Sequence, residues 1–214
     1  MELEAARAAV RIARQAITEH LGPAPPTDPA SPFRGEPLPR LFDERRGVFV
    51  TLLRHPAGSL RGCIGFPLPV HPLRVGVPRA AVSAAVDDPR FPPLNSVDLE
   101  GTRIDVSVLT PPVPVPENGP ARRLAIVVGR DGLVVDRDGA SGILLPQVAV
   151  EQGWNSEEFL DAVCEKAGLP SGAWLAAGTD LYRFSAEIAR ETVPGGAVES
   201  DPTSPAVGSA APRA

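Results

Sequence analysis

Leu3, Ala6, Val10, Ala13, Ile17 and Leu21 recur at three- and four-residue steps, and Gly22-Pro23 ends the run. That spacing predicts a helix over residues 2–21 with one face against a sheet. A proline-rich stretch to about Pro39 reads as a surface connection with little regular structure. Residues 47–54 and 59–66 then read as two strands joined by His55-Pro56-Ala57-Gly58, a hairpin. Residues 71–86 are helical in pattern but contain Pro78, which either kinks the helix or restarts it, and a restart fits the run Ala80-Ala81-Val82 better. Ile104, Val106 and Val108 alternate with Arg103, Asp105 and Ser107, a half-buried strand over 102–109.

Further strands are expected near 126–128, 133–136 and 142–145, with Asp131-Gly132 as a tight turn between the first two. Ser156 is placed as the cap of a helix that carries Glu157 and Glu158 in its first turn and Phe159, Leu160, Val163, Cys164 and Ala167 along one side, which makes Cys164 a core residue. Residues 182–190 read as a last strand. After Thr192 the chain is Pro, Gly, Ala and Ser with scattered charge, so a disordered tail is expected over 192–214 behind a domain over 1–191. Strands interspersed with helices and hairpins define an α+β fold.

Within the second strand, Leu60-Arg61-Gly62-Cys63-Ile64-Gly65 places a cysteine between glycines and two residues after an arginine. Alternation puts Leu60 and Ile64 on one face and Arg61, Cys63 and Gly65 on the other. A neighbouring guanidinium favours the thiolate, and Gly62 and Gly65 leave room for a backbone or a ligand to approach. The same residues are equally compatible with a small buried cysteine beside a bulge.

The hexapeptide resembles the signature of the AMMECR family, known in prokaryotes as protein A of the AmmeMemoRadiSam system. Further blocks agree in order: Gly47-Val48-Phe49-Val50-Thr51-Leu52, Asp88-Pro89-Arg90-Phe91-Pro92-Pro93-Leu94, Ser107-Val108-Leu109, Gly129-Arg130-Asp131-Gly132-Leu133, and the run from Ser141 to Ala149 that continues through Gly153-Trp154 to Lys166-Ala167-Gly168-Leu169-Pro170. The resemblance implies an antiparallel, barrel-like sheet built from two related halves with helices outside. It implies no established reaction and no defined cofactor. Relatives are often encoded beside Memo-type and radical S-adenosylmethionine proteins, which makes these the implied partners and RNA or small-molecule modification the implied setting. Phe66-Pro67 and Pro78 depart from the family pattern beside the motif.

Composition narrows the classes. The chain has 214 residues, 43% of them hydrophobic, enough for one domain or two closely packed subdomains. No apolar run approaches the ~20 residues of a membrane span, and no signal peptide opens the chain, so a cytoplasmic protein is expected. Two cysteines far apart form neither a disulfide framework nor a zinc motif. Lys166 is the only lysine, and the formal net charge of −5 gives no support for binding a phosphate backbone. The oligomeric state is open.

Cys63 is the candidate nucleophile and Arg61 its activating neighbour. His71, one loop further on, is the best-placed histidine for a base, against the alternative of a solvent-exposed loop residue. Arg90 in its rigid loop suits a carboxylate or phosphate, or else an ion pair with Asp88. Gln147 and Glu151, four apart on a short helix, share a face, and Glu151 is a candidate acid or base. Gly129-Arg130-Asp131-Gly132 resembles an RNA-binding clamp only superficially, since a turn explains it. Two functions remain: an enzyme with catalytic Cys63, Arg61 and Glu151 and with Gly62, Gly65, Arg90, Gln147 and His71 around its substrate, or an adaptor that presents the glycine-rich motif and the Arg90 loop to a protein.

Overall fold

In the computed structural model, which describes residues 1–201, the chain divides into two compact units: 1–109 with 187–201, and 110–186. Both are mixed α and β, and the strand pairs are antiparallel. The elements in chain order are α1 Leu3–His20, β1 Val48–Arg54, β2 Leu60–Phe66, α2 Leu73–Val86, α3 Ser96–Glu100, β3 Thr102–Leu109, β4 Val113–Pro114, α4 Arg122–Ala125, β5 Gly132–Arg137, β6 Ala140–Leu144, α5 Pro146–Gln152, α6 Ser156–Lys166, β7 Asp180–Phe184, β8 Ala186–Glu191 and β9 Val198–Asp201. The strands form two open sheets, one per unit, in the orders β2-β1-β3-β8-β9 and β4-β7-β5-β6. The α+β class is the expected one, with the strands shared between two sheets and neither closed into a barrel.

In unit 1 the apolar stripe of α1 and most of α2 pack on Val48, Val50 and Leu52 of β1 and on Ile104, Val106 and Val108 of β3. These alternate positions line one face of the sheet, so the other face carries Phe49, Thr51 and Leu53 of β1 and Arg103, Asp105 and Ser107 of β3. Glu191 ties the unit together. Its buried carboxylate accepts from Arg14 Nε at 2.7 Å and from the Ile104 amide at 2.9 Å.

Pro78 does not restart a helix: α2 runs unbroken through it. A proline inside a helix removes one backbone hydrogen bond, at a cost of about 3 kcal/mol. Gly76, Val77, Pro78, Ala80 and Ala81 are all buried, and that packing holds the helix continuous across the gap. The proline-rich connection is also more ordered than expected. Short 3₁₀ turns at Ser31–Phe33 and Arg40–Asp43 seat Phe33 and Phe42 in the core. The expected tail beginning at 192 is corrected as far as Asp201. Thr192 N–H bonds the Ala197 carbonyl at 2.9 Å, Gly195 turns at φ 66°, and β9 pairs with β8. The unpaired edge of β8 needs partners, which composition alone does not reveal; residues 202–214 of that expected tail lie outside the described residues.

In unit 2, α6 packs Phe159, Leu160, Val163 and Cys164 on Leu133 and Val135 of β5. Its cap is Asn155 rather than Ser156: Asn155 Oδ1 accepts from the amides of Glu157 and Glu158, while Glu158 returns a bond to the Asn155 amide, a reciprocal capping box. Residues 126–128 form no strand, because Val127 N–H is taken by the buried Asp131 carboxylate at 2.9 Å. Asp131-Gly132 is therefore not a hairpin turn. The hairpin turn lies between β5 and β6, where Asp138 and Gly139 both have positive φ, 53° and 85°. The single strand expected over 182–190 is two strands, β7 and β8, broken at Ser185, whose backbone exchanges hydrogen bonds with Thr110.

Candidate functional site

The β1–β2 hairpin carries the site. From Val48↔Phe66 to Leu52↔Gly62 the register is regular, then it slips so that Leu53 pairs with Leu60. Arg61 is the extra residue of a β-bulge. The bulge turns Leu60 away from the face it would share with Ile64 and re-aims Arg61. Arg61 is 4% exposed, lies 3.7 Å from Asp98 Oδ2 through Nη2, and leaves Nη1 without a hydrogen-bond partner among the described residues.

Cys63 stands on the face opposite the helices. Its side chain is half-buried, and Thr51, its direct partner across the strand pair, donates its hydroxyl to Sγ at 3.3 Å. Thr51 in turn lies opposite Asp105 on β3, and Asp105 accepts from Arg190 Nε at 3.2 Å with Arg103 Nε 3.6 Å away. A row Cys63, Thr51, Asp105, Arg190 thus crosses four strands. Burial pushes the Asp105 carboxyl up, against the opposing pull of Arg103 and Arg190.

The outer edge of β2 is closed by the loop after α2. Asp88 accepts the Cys63 amide at 2.8 Å, and Arg90 Nη2 donates to the Cys63 carbonyl at 3.3 Å. The Asp88–Arg90 pair is itself bidentate, at 2.9 and 2.7 Å, and Asp88 also accepts the Arg90 amide. The Arg90 guanidinium, opposed by burial and aided by these amides, holds the Asp88 carboxyl down at about 2. Two side chains replace a neighbouring strand here, and they fix the backbone on both sides of the thiol.

The residues singled out in the sequence divide accordingly. Arg61, Gly62, Cys63, Gly65 and Arg90 come together in unit 1, whereas Gln147 and Glu151 belong to unit 2, on α5, where Glu151 is exposed and Gln147 Oε1 has no hydrogen-bond partner among the described residues. Both glycines are places of close approach. A Cβ on Gly62 would lie 2.1 Å from the Ala84 carbonyl of α2, and one on Gly65 would lie 2.2 Å from the Val48 carbonyl and 2.5 Å from the Phe49 ring. His71 meets Phe66 edge-on with centroids 5.4 Å apart, and its Nε2 is 3.5 Å from Arg79 Nη1. Phe66 packs with the helix-covered face, so His71 stands with α2 rather than beside the thiol. Cys164 is buried as expected, and burial pushes its thiol up.

Thr51, Asp105 and Asp98 were not singled out from the sequence. The available signal was a hydroxyl and a carboxylate at alternating positions inside two apolar strands that pair. Among the described residues no three His, Cys, Asp or Glu side chains gather as a metal site, and no helix is long and apolar enough to cross a membrane.

Residues 10–189 match the AMMECR1 family model. The chain belongs to the AMMECR1 family. A protein of Thermococcus onnurineus is 50% identical over 196 residues, covering 90% of this chain and 93% of that one, and one of Pyrococcus furiosus is 48% identical over 199 residues, covering 92% of each. The crystal structure of the uncharacterized protein PH0010 from Pyrococcus horikoshii superposes with a TM-score of 0.71 at 44% identity, over 94% of this chain and 98% of that one. In this AMMECR1 chain, the hairpin bearing the glycine-cysteine motif carries the buried Thr51 and Arg61, beside the buried Asp105 of β3.

Proposed function

We propose that this AMMECR1-family chain is an enzyme component in small-molecule modification, acting beside Memo-type and radical S-adenosylmethionine proteins, with Cys63 as its nucleophile. The hydroxyl of Thr51 directed at a half-buried Sγ carries the reading. A donor aimed at sulfur stabilises the thiolate over the thiol, and Asp88 and Arg90 hold the strand so that this alignment persists. The acidic net charge favours a small substrate over RNA.

Iodoacetamide labelling at pH 7, read separately at Cys63 and Cys164 by mass spectrometry, tests this reading. Cys63 is expected to react faster in the folded protein than in the urea-unfolded chain, and Thr51→Val to slow it by roughly threefold to tenfold, the worth of one ordinary hydrogen bond. A Cys63 slower folded than unfolded, and indifferent to Thr51→Val, overturns it. The second reading, a protein adaptor, is favoured by the exposed Leu68 and Val70 directly after β2. It predicts an inert thiol and a partner whose binding is lost with Leu68→Asp.

A further inference from the structure

The geometry points to an oxyanion subsite built on Arg61, which takes the phosphate or carboxylate group of a small molecule. Where β1 ends and β2 and β3 begin, a cavity of about 340 Å³ is lined by Arg54, His55, Arg61, Asp98 and Thr102. Its volume lies at the lower end of the ~300–1,000 Å³ range of small-molecule sites, which suits a compact ligand.

A buried guanidinium is costly unless its donors are used, and Arg61 leaves Nη1 unpartnered among the described residues. The nearest acceptor charge, Asp98 Oδ2, stands at 3.7 Å, beyond hydrogen-bond distance, on a side chain that is 47% exposed. The Asp98 amide is held by the Asn95 cap, so the backbone of α3 is fixed while the carboxylate faces solvent. Asp98 thus acts as a loose resident counter-ion whose place an incoming oxyanion takes. The cavity also bears the exposed Arg54, anchored through Nη1 to the Leu60 carbonyl at 3.1 Å, and the exposed His55. Two guanidinium groups and an imidazole therefore face one carboxylate, and planar guanidinium forks match carboxylate and phosphate oxygens.

The β-bulge that isolates Arg61 is the local device that aims it. Arg61 lies two residues before Cys63 on β2, a rise of about 6–7 Å along the strand. The subsite rests on the reading of this strand as the functional site, but not on the reactivity of the thiol.

The test is a titration of the full chain at constant ionic strength, first with inorganic phosphate and then with acetate, followed through the arginine Nε–H and backbone amide NMR signals. One of the two anions is expected to saturate with shifts at Arg54 and Arg61, and the tighter one identifies the oxyanion class. Asp98→Asn, which removes the resident charge, is expected to tighten binding by about threefold or more, and Arg54→Ala at an exposed position to weaken it by a similar factor. Neither anion saturating overturns the subsite, and so does binding indifferent to both substitutions. Cys63→Ser is expected to bind the anion unchanged. An inert thiol with intact anion binding removes the nucleophile and keeps the subsite, and the reverse result separates them equally well.

Discussion

The β1–β2 and β5–β6 hairpins are built from similar material and do different things. β5–β6 keeps an unbroken register from Leu133↔Leu144 to Arg137↔Ala140, and its turn residues Asp138 and Gly139 both lie in the left-handed region. Its turn chemistry and alternation agree, so the pairing is locally encoded. β1–β2 slips its register at Leu53, strands Arg61 in a bulge, and satisfies its outer edge with Asp88 and Arg90 instead of a strand. The irregular hairpin is the one that gathers a thiol, a hydroxyl and an unsatisfied guanidinium. Regularity stabilises a sheet, whereas departure from it positions side chains that the regular pleat would point elsewhere.

The two hairpins should fail differently when their glycines gain a methyl group. Gly62→Ala drives a Cβ into the Ala84 carbonyl at 2.1 Å, so α2 must move off the sheet, at a cost of about 3 kcal/mol or more. Gly139→Ala meets no atom and strains only its φ of 85°, about 1–2 kcal/mol. Urea unfolding of both variants measures the difference, and equal losses would show that the close approach of α2 does not set the hairpin.

Acid separates the site hairpin next. The Asp88 carboxyl, held at about 2 in the folded chain against an ordinary 3.8, contributes stability that is fully present above the ordinary value. That stability is lost as pH falls from about 4 towards 2, and with the Arg90 side chain half exposed it amounts to about 1–2 kcal/mol. In Asp88→Asn this component of the acid loss should vanish, as read from urea midpoints at pH 5, 3.5 and 2.5, and a wild-type curve parallel to the variant's would remove the edge clamp from the account. The smallest effect lies in the regular region: Asn155→Ala at the cap of α6 should cost about 1 kcal/mol and Ser156→Ala only a few tenths, by thermal unfolding. The reverse order would return the cap to Ser156.

Much of this was legible in the residues. The spacing of Val10, Ala13 and Ile17 marks α1, the alternation of Ile104, Val106 and Val108 marks β3, and the apolar side of α6 places Cys164 in the core. The strand that bears the Cys63 motif was legible, and so was Arg90 as a partner of Asp88. What the reading placed wrongly depends on contacts that periodicity does not show. Pro78 stays helical because its surroundings are packed, residues 126–128 are held out of a strand by the Asp131 carboxylate, and Ser185 breaks a strand through bonds to Thr110. The alternation that put Asp105 and Ser107 on a polar face was right, but both are buried, and one strand's period carries no information about what covers it.

The tripeptide Arg-Asp-Gly, which occurs twice, shows where that boundary runs. At Arg137-Asp138-Gly139 the local preference of Asp-Gly for positive φ is expressed, and a hairpin turn results. At Arg130-Asp131-Gly132 the same residues are overruled. Asp131 is buried, bonded to the Val127 amide and to Arg130, and Gly132 opens β5 under the Phe184 ring, where a Cβ would lie 2.3 Å from it. Periodicity, turn residues and the family motif determine by themselves the main helices, the α+β class and the strand that bears Cys63, because each is a short-range property of the chain. The bulge that aims Arg61, the Thr51 hydroxyl on the thiol and the clamp on the β2 edge join residues 12 to 37 positions apart, and only tertiary packing, which satisfies buried polar groups across such distances, decides them.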